Sequence, residues 1–162
     1  VDLIIDEPDM LYSGGSMSED DLQCAMKEDW VMVSSDGGAS PIKKEEDKPR
    51  RGHPRSYGSF PRVFNKYVRQ EKILTLENAV RKMTSLPASF LRMKDRGLLL
   101  NGYKADIVIF DPEKIADIAT FEDSQEYSAG IEHVIVNGAI SIENRTYNGT
   151  LNGRLLLLTE NK

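Results

Sequence analysis

The sequence predicts an α/β fold that continues into antiparallel β-structure. Three patterns indicate this: an apolar run at residues 31–33 that ends in an acidic residue, helical spacing of apolar residues over 62–91, and β-branched runs with turn signals after residue 106. An uninterrupted apolar run is typical of a strand buried in a parallel sheet. A chain of 162 residues has room for one medium domain or two small ones.

One helix–strand unit lies near the start of the chain. Ser18 is a good N-cap, acidic residues follow it, and Leu22 and Met26 form the buried stripe. Residues 30–34 are predicted to be a strand, with Asp36 at its C-terminal end. A carboxylate in that place of an α/β barrel or sheet can act as a metal ligand, a proton shuttle or both. The Ser-Ser-Asp-Gly sequence is also typical of a plain turn, so both interpretations stay open.

A charged segment follows the acid. Residues 43–51 contain many charges and a proline but no apolar partners, which predicts a solvated and mobile loop over 40–52. Such a loop either has no specific role or, beside an active-site rim at Asp36, is a candidate lid. Residues 53–61 contain two prolines and a glycine. They are predicted to be a rigid extended segment rather than a helix.

Helices are predicted in the middle of the chain. Apolar residues at helical spacing predict a helix over 62–70 with one buried face. Thr75 is the expected N-cap of a second helix, with Leu76, Ala79, Val80 and Met83 on its core side. Leu86-Pro87 should break this helix, and Pro87 should start a short third one through Leu91.

The last third of the chain is predicted to form β-structure. Ile107–Phe110 and Ile131–Val136 are β-branched strands, and Asn137-Gly138 predicts a type I′ hairpin turn into residues 139–142. A last apolar run covers residues 155–158. These elements predict a small antiparallel sheet appended to the α/β part.

Composition excludes several classes of protein. The net charge of −5 provides no basic excess with which to neutralise nucleic-acid phosphates. No apolar run approaches the length of a membrane span, and no secretory signal is visible, so we expect a cytoplasmic protein. The single cysteine, Cys24, rules out an internal disulfide framework. His133 lies in a predicted strand without a cluster of other ligands, so a structural or surface role is expected.

Several motifs resemble the C-terminal part of the N-acyl-D-amino-acid deacylases, the D-aminoacylases of the amidohydrolase superfamily. The most specific motif begins His53-Pro54-Arg55 and runs through residue 63. The others are 17–21, 35–37, 76–88, 95–97, 102–111 and 134–138. The resemblance therefore covers nearly the whole chain.

The resemblance implies a fold. Amidohydrolases combine a metal-bearing (β/α)8 barrel with a small β-sandwich. Residues 1–91 would be the last βα units of the barrel, with 30–34 as its eighth strand, and residues 92–162 would be the C-terminal strands of the sandwich. Because a barrel needs about 250 residues, this chain holds only a portion of one.

The resemblance also implies functional roles. Asp36 corresponds to the family's catalytic aspartate, which lies at the zinc and serves as general base and acid. Arg55 corresponds to the arginine that binds the α-carboxylate of the N-acyl amino acid substrate, for which a guanidinium fork is suited. His53 and Tyr57 lie in the same segment and are expected to position substrate.

The family's other metal ligands have no counterpart in the sequence. His53 and His133 are the only histidines, and Asp36 alone cannot hold a zinc ion that takes about three protein ligands. One hypothesis is therefore the C-terminal part of a longer zinc deacylase, inactive in isolation, whose partner is the rest of the barrel or a second copy. The alternative is a non-catalytic, amidohydrolase-like module for binding or assembly.

Overall fold

A computed structural model describes residues 17–39, 41–42 and 52–156. The helices are α1 (Glu19–Lys27), α2 (Arg55–Arg62), a π-helix (Val63–Gln70), α3 (Leu76–Met83) and α4 (Ser85–Phe90). The strands are β1 (Ile107–Phe110), β2 (Ile131–Val136), β3 (Ala139–Glu143) and β4 (Thr146–Tyr147). The predicted loop at 40–52 falls mostly on residues outside this described part.

Helix α1 forms where the sequence predicts it. The Ser18 hydroxyl accepts a hydrogen bond from the backbone N–H of Asp21, and acidic residues occupy the first turn. These groups satisfy a free backbone donor and oppose the positive end of the helix dipole. Met26 is buried, and Leu22 packs against the core. The predicted cap and buried stripe are both confirmed.

The predicted strand at residues 30–34 does not form. The segment is extended, and the backbone N–H of Val33 donates to the carbonyl of Lys82 at 3.3 Å. Among the described residues, no neighbouring strand pairs with it. A β-strand needs a ladder of backbone hydrogen bonds, so an apolar run without a strand beside it stays extended but unpaired. Trp30 is 73% exposed.

The prediction of an extended segment at 53–61 is wrong, because α2 begins at Arg55. Pro54 sits at the N-cap, where a missing N–H costs nothing. Pro61 lies inside the helix and cannot donate to the carbonyl of Tyr57 one turn earlier. The Ser128 hydroxyl donates to that carbonyl instead, at 2.7 Å. A contact from a distant part of the chain therefore supports a helix that local rules disfavour.

The helix predicted over 62–70 exists as a π-helix that continues directly from α2. Helix α3 starts as predicted, with the Thr75 hydroxyl accepting from the N–H of Asn78. The break after α3 comes at Thr84, and α4 begins at Ser85, two residues before the predicted Pro87. It ends at Phe90.

The sheet has the order β1-β2-β3-β4, and every neighbouring pair is antiparallel. Asn137 and Gly138 both have positive φ, 51° and 83°, which confirms the type I′ turn between β2 and β3. A second turn, at Asn144 and Arg145, also has positive φ at both residues and leads into β4, which the sequence pattern did not predict. Residues 155–156 are not part of a strand, and 157–158 lie outside the described part.

The core lies between the helices and the segment that leads into the sheet. It contains the buried residues Met26, Val63, Phe64, Tyr67, Leu74, Ala79 and Ile115. Polar contacts reinforce this packing: Arg69 donates to the carbonyls of Pro112 and Ile115, at 2.8 and 3.0 Å. Within the described residues, no helix is both long and apolar enough to cross a membrane. The division of the chain at residues 91 and 92 stays a prediction.

Candidate active site

Asp36 lies at the end of the extended segment, where the chain turns sharply. Its φ is 48°, a left-handed conformation that aspartate tolerates better than most residues. The next residue, Gly37, donates its N–H to the Ser35 hydroxyl at 3.2 Å. A Cβ at Gly37 would lie 2.9 Å from the Cα of Ser56, so only glycine lets this turn reach the first turn of α2.

This close approach brings Asp36 to Arg55. The Nη1 atom of Arg55 lies 3.0 Å from Oδ2 of Asp36. The Asp36 side chain is 86% exposed and that of Arg55 44% exposed. An ion pair so open to solvent contributes little to stability, because water competes for both groups. The two residues that the resemblance assigns to catalysis and substrate binding are therefore neighbours that can separate at little cost.

His53 and Tyr57 belong to the same turn. The backbone N–H of Arg55 donates to Nδ1 of His53 at 3.1 Å, so the His53 ring satisfies a backbone donor at the start of α2. Its ring packs edge-on against Phe121, with 5.0 Å between the centroids. Tyr57 packs against Tyr127 at 6.2 Å. Of the predicted site residues, the structure thus brings Asp36, His53 and Arg55 together, whereas the Tyr57 ring packs on Tyr127.

Sequence reasoning missed the residues that support this turn. Phe121, Tyr127 and Ser128 belong to a segment that is closed by a bridge between Ala116 and Ala129. Residue spacing does not predict these contacts, because the partners are more than sixty positions away in the chain. The aromatic residues in an otherwise polar loop were the signal that could have drawn attention to it.

Asp117 anchors the same segment to α2 and the π-helix. It accepts hydrogen bonds from Arg62 at 2.9 Å and Asn65 at 3.1 Å, and its side chain is 14% exposed. Burial alone would raise the pKa of Asp117, but the hydrogen bonds from Asn65 and Arg62 outweigh burial and hold it below its usual value. A Cβ at Gly58 would lie 2.9 Å from that of Asp117, so the helix is packed tightly against it.

The described residues do not form a metal site by themselves. Among them, no three histidine, cysteine, aspartate or glutamate side chains lie close enough to hold an ion. Asp36 supplies one exposed carboxylate, whereas a catalytic zinc takes about three protein ligands. His133 lies in β2 opposite Ile109 of β1, with its Nδ1 accepting from the N–H of Asn144 at 3.5 Å. Its position fits the structural role expected for it.

Comparison with known proteins decides the family. Residues 45–142 match the sequence profile described as "Amidohydrolase family". The chain belongs to the amidohydrolase family. It is 42% identical over 143 residues to a D-aminoacylase from Alcaligenes xylosoxydans xylosoxydans, covering 88% of this chain and 28% of the relative. It is 44% identical over 123 residues to an N-acyl-D-glutamate deacylase of the same organism, covering 76% of this chain and 24% of the relative.

Solved structures agree with this assignment. A crystal structure of D-aminoacylase superposes with a TM-score of 0.75 at 42% identity, over 86% of this chain and 28% of that protein. A crystal structure of N-acyl-D-glutamate deacylase from Bordetella bronchiseptica, complexed with zinc and a phosphonate that mimics the tetrahedral intermediate, gives a TM-score of 0.68 at 38% identity. That match covers 80% of this chain and 28% of the other.

These likenesses confirm the resemblance to the D-aminoacylases and the fold class. The chain has the architecture of the C-terminal portion of an amidohydrolase (β/α)8 barrel followed by strands of the β-sandwich. It spans only about a quarter of the length of the relatives it matches.

Proposed function

We propose that this chain is part of a zinc-dependent amidohydrolase that cleaves N-acyl-D-amino acids into a carboxylate and a D-amino acid. The observation that carries the proposal is the pairing of Asp36 with Arg55 at 3.0 Å. A proton-accepting carboxylate and a carboxylate-binding guanidinium lie side by side in a chain whose relatives are a D-aminoacylase and an N-acyl-D-glutamate deacylase.

Asp36 is proposed to be the general base and acid. Amide hydrolysis needs removal of a proton from the attacking water and delivery of a proton to a poor leaving group, the amine. The Asp36 carboxylate is exposed at the end of a turn, and once it is released from Arg55 it can accept the first proton and return it to the amine nitrogen. Zinc would supply Lewis-acid chemistry. Asp36 is the single donor that we assign to it from the described residues.

Arg55 is proposed to bind the α-carboxylate of the substrate. In the structure its guanidinium pairs with the Asp36 carboxylate, which has the chemistry of the group it would bind. A substrate carboxylate that replaces Asp36 would keep Arg55 neutralised and release Asp36 for proton transfer. His53 orients the backbone of Arg55, and Tyr57 lines the same turn. Both are proposed to position substrate.

The decisive experiment is a stereochemical assay of the complete protein that contains this chain. N-acetyl-D-amino acids and their L-enantiomers are supplied separately, and the released amine is quantified before and after treatment with EDTA. We expect hydrolysis of the D-forms only, lost with EDTA and restored by zinc. No hydrolysis of any N-acyl-D-amino acid by zinc-loaded protein would reject the proposal and favour the non-catalytic module.

The proposed partners follow from the same reasoning. The small-molecule N-acyl amino acid is the substrate, and the rest of the barrel or a second copy covers the exposed apolar residues of this chain. The acyl group and the amino-acid side chain would be chosen by other loops. A cytoplasmic location remains a prediction from the sequence.

A further inference from the structure

Lys82 is the largest fully buried side chain of the described residues, with 0% exposure. It lies in the last turns of α3, on the face directed toward residues 28–33. Lysine is almost never fully buried without partners, because its ammonium loses its hydration. Burial lowers the pKa of Lys82 accordingly. The buried ammonium of Lys82 therefore needs hydrogen-bond acceptors that replace its hydration.

The Lys82 ammonium binds backbone carbonyls of the segment that leads to Asp36. Nζ donates to the carbonyl of Glu28 and to that of Val31, the latter at 3.0 Å. Glu28 is the C-cap of α1, where helix carbonyls carry partial negative charge, and its carbonyl also accepts from the N–H of Val31 at 3.2 Å. The backbone carbonyl of Lys82 also accepts from the N–H of Val33 at 3.3 Å. One residue therefore holds the segment through its side chain and its backbone.

This segment has further restraints in the described structure, since Nη1 of Arg81 donates to the carbonyl of Asp29 at 2.9 Å and Val33 packs against the core. It pairs with no described strand, yet it carries Asp36 only three positions beyond Val33. Its far end is fixed by the close contact between Gly37 and Ser56. Its near end is held by Lys82 at Val31 and by Arg81 at Asp29. Because proton transfer needs the carboxylate within hydrogen-bond reach, the near anchor bears directly on the placement of Asp36.

We propose that Lys82 is a positioning residue, whose buried ammonium binds the carbonyls of Glu28 and Val31 and so fixes the backbone that carries Asp36. The catalytic consequence rests on the proposed function, whereas the restraint on residues 28–36 does not. Lys82 would touch neither the substrate nor the reacting atoms.

The test compares Lys82→Met with wild type in the complete protein. Methionine keeps nearly the same length but donates no hydrogen bond. A displaced carboxylate should lower kcat by about tenfold to a hundredfold, with KM for an N-acetyl-D-amino acid changed less than about twofold, since Arg55 is untouched. In Lys82→Ala, added ethylamine should restore part of kcat by supplying an ammonium. The matched control is Ile115→Ala, which destabilises the same core but removes no hydrogen-bond donor to residues 28–36.

Hydrogen exchange measured by mass spectrometry on the same preparations provides a readout that does not depend on activity. In Lys82→Met, peptides covering residues 28–36 should exchange about tenfold faster, while peptides covering 131–143 stay as in wild type. The proposal would be overturned if exchange in Lys82→Met accelerated equally at residues 28–36 and 131–143. It would also be overturned if Ile115→Ala lowered kcat as much as Lys82→Met does. Either result would mean that Lys82 only stabilises the fold in general. Unchanged exchange at 28–36 would overturn it too. If wild type hydrolyses no N-acyl-D-amino acid, the proposed function fails, but the exchange comparison still decides whether Lys82 holds this segment.

Discussion

The Ser128 hydroxyl donates a hydrogen bond of 2.7 Å to the backbone carbonyl of Tyr57. This is the carbonyl that Pro61 leaves without a helical donor. The contact joins the segment before β2 to the helix that begins at Arg55. It therefore links the sheet half of the chain to the turn on which the candidate active site is built.

Replacing Ser128 by alanine should destabilise the protein by about 1–3 kcal/mol, because the Tyr57 carbonyl is then left without a donor. Urea unfolding gives the free energy directly. Ser59→Ala is the matched control: its hydroxyl donates to the carbonyl of Arg55 within α2, so its loss should cost much less. In a Pro61→Ala background the backbone N–H is restored, and Ser128→Ala should cost less than in wild type. Equal costs in the two backgrounds would contradict this account.

Asp36→Asn should lower kcat of the complete protein by about 10²–10⁴-fold, since an amide cannot accept the proton. The free energy of unfolding should change little, because the Asp36–Arg55 pair is largely exposed. Steady-state kinetics and urea unfolding of one preparation check both statements. Asp95→Asn is the control, an exposed carboxylate 4.0 Å from Lys104. A kcat equal to that of wild type would exclude Asp36 as the base.

Arg55→Lys should raise KM by about tenfold or more, because lysine cannot form the parallel pair of hydrogen bonds of a guanidinium. The effect should disappear for a substrate whose α-carboxylate is replaced by a carboxamide, which serves as the internal control. An equal rise in KM for both substrates would mean that Arg55 acts on something other than the carboxylate.

Asp117 should make stability depend on pH. Its folded-state pKa is lowered, with burial opposed by stronger hydrogen bonds from Asn65 and Arg62. A lowered carboxyl pKa stabilises the folded state above the unfolded pKa of about 3.9. That contribution is lost as pH falls from there through the folded value. Urea unfolding of wild type and Asp117→Asn from about pH 6 to pH 3 should show the two free energies converging toward acid. Parallel curves would contradict the prediction.

The chain of 162 residues alone should self-associate, because large apolar side chains are exposed. Trp30 is 73% exposed, Leu99 78% and Phe90 72%. Exposed apolar surface of this kind favours contact with another protein surface. Light scattering after size exclusion should show species heavier than 18.2 kDa, and Trp30→Ser should reduce them. A monodisperse monomer of the unmodified chain would show that these side chains do not drive association.

Elements specified by short-range chemistry agree with prediction. The Ser18 and Thr75 caps and the Asn137-Gly138 turn appear where the sequence places them, because each depends on a side chain or a φ value within a few residues. The errors concern elements that need distant partners. Residues 30–34 have an apolar pattern but no described strand beside them, and α2 includes Pro61 with support from Ser128.

The sequence by itself determined the family resemblance, the caps and the hairpin, and it singled out Asp36 and Arg55 as the residues proposed for the site. It could not place these residues next to each other, because a charged segment of unpredictable path separates them. Only the tertiary structure decided that Gly37 packs against Ser56, that Asp36 meets Arg55, and that the buried Lys82 holds the backbone leading there. The physical reason is that local propensities act over a few residues, whereas close packing and the satisfaction of buried polar groups depend on atoms that only the folded chain brings together.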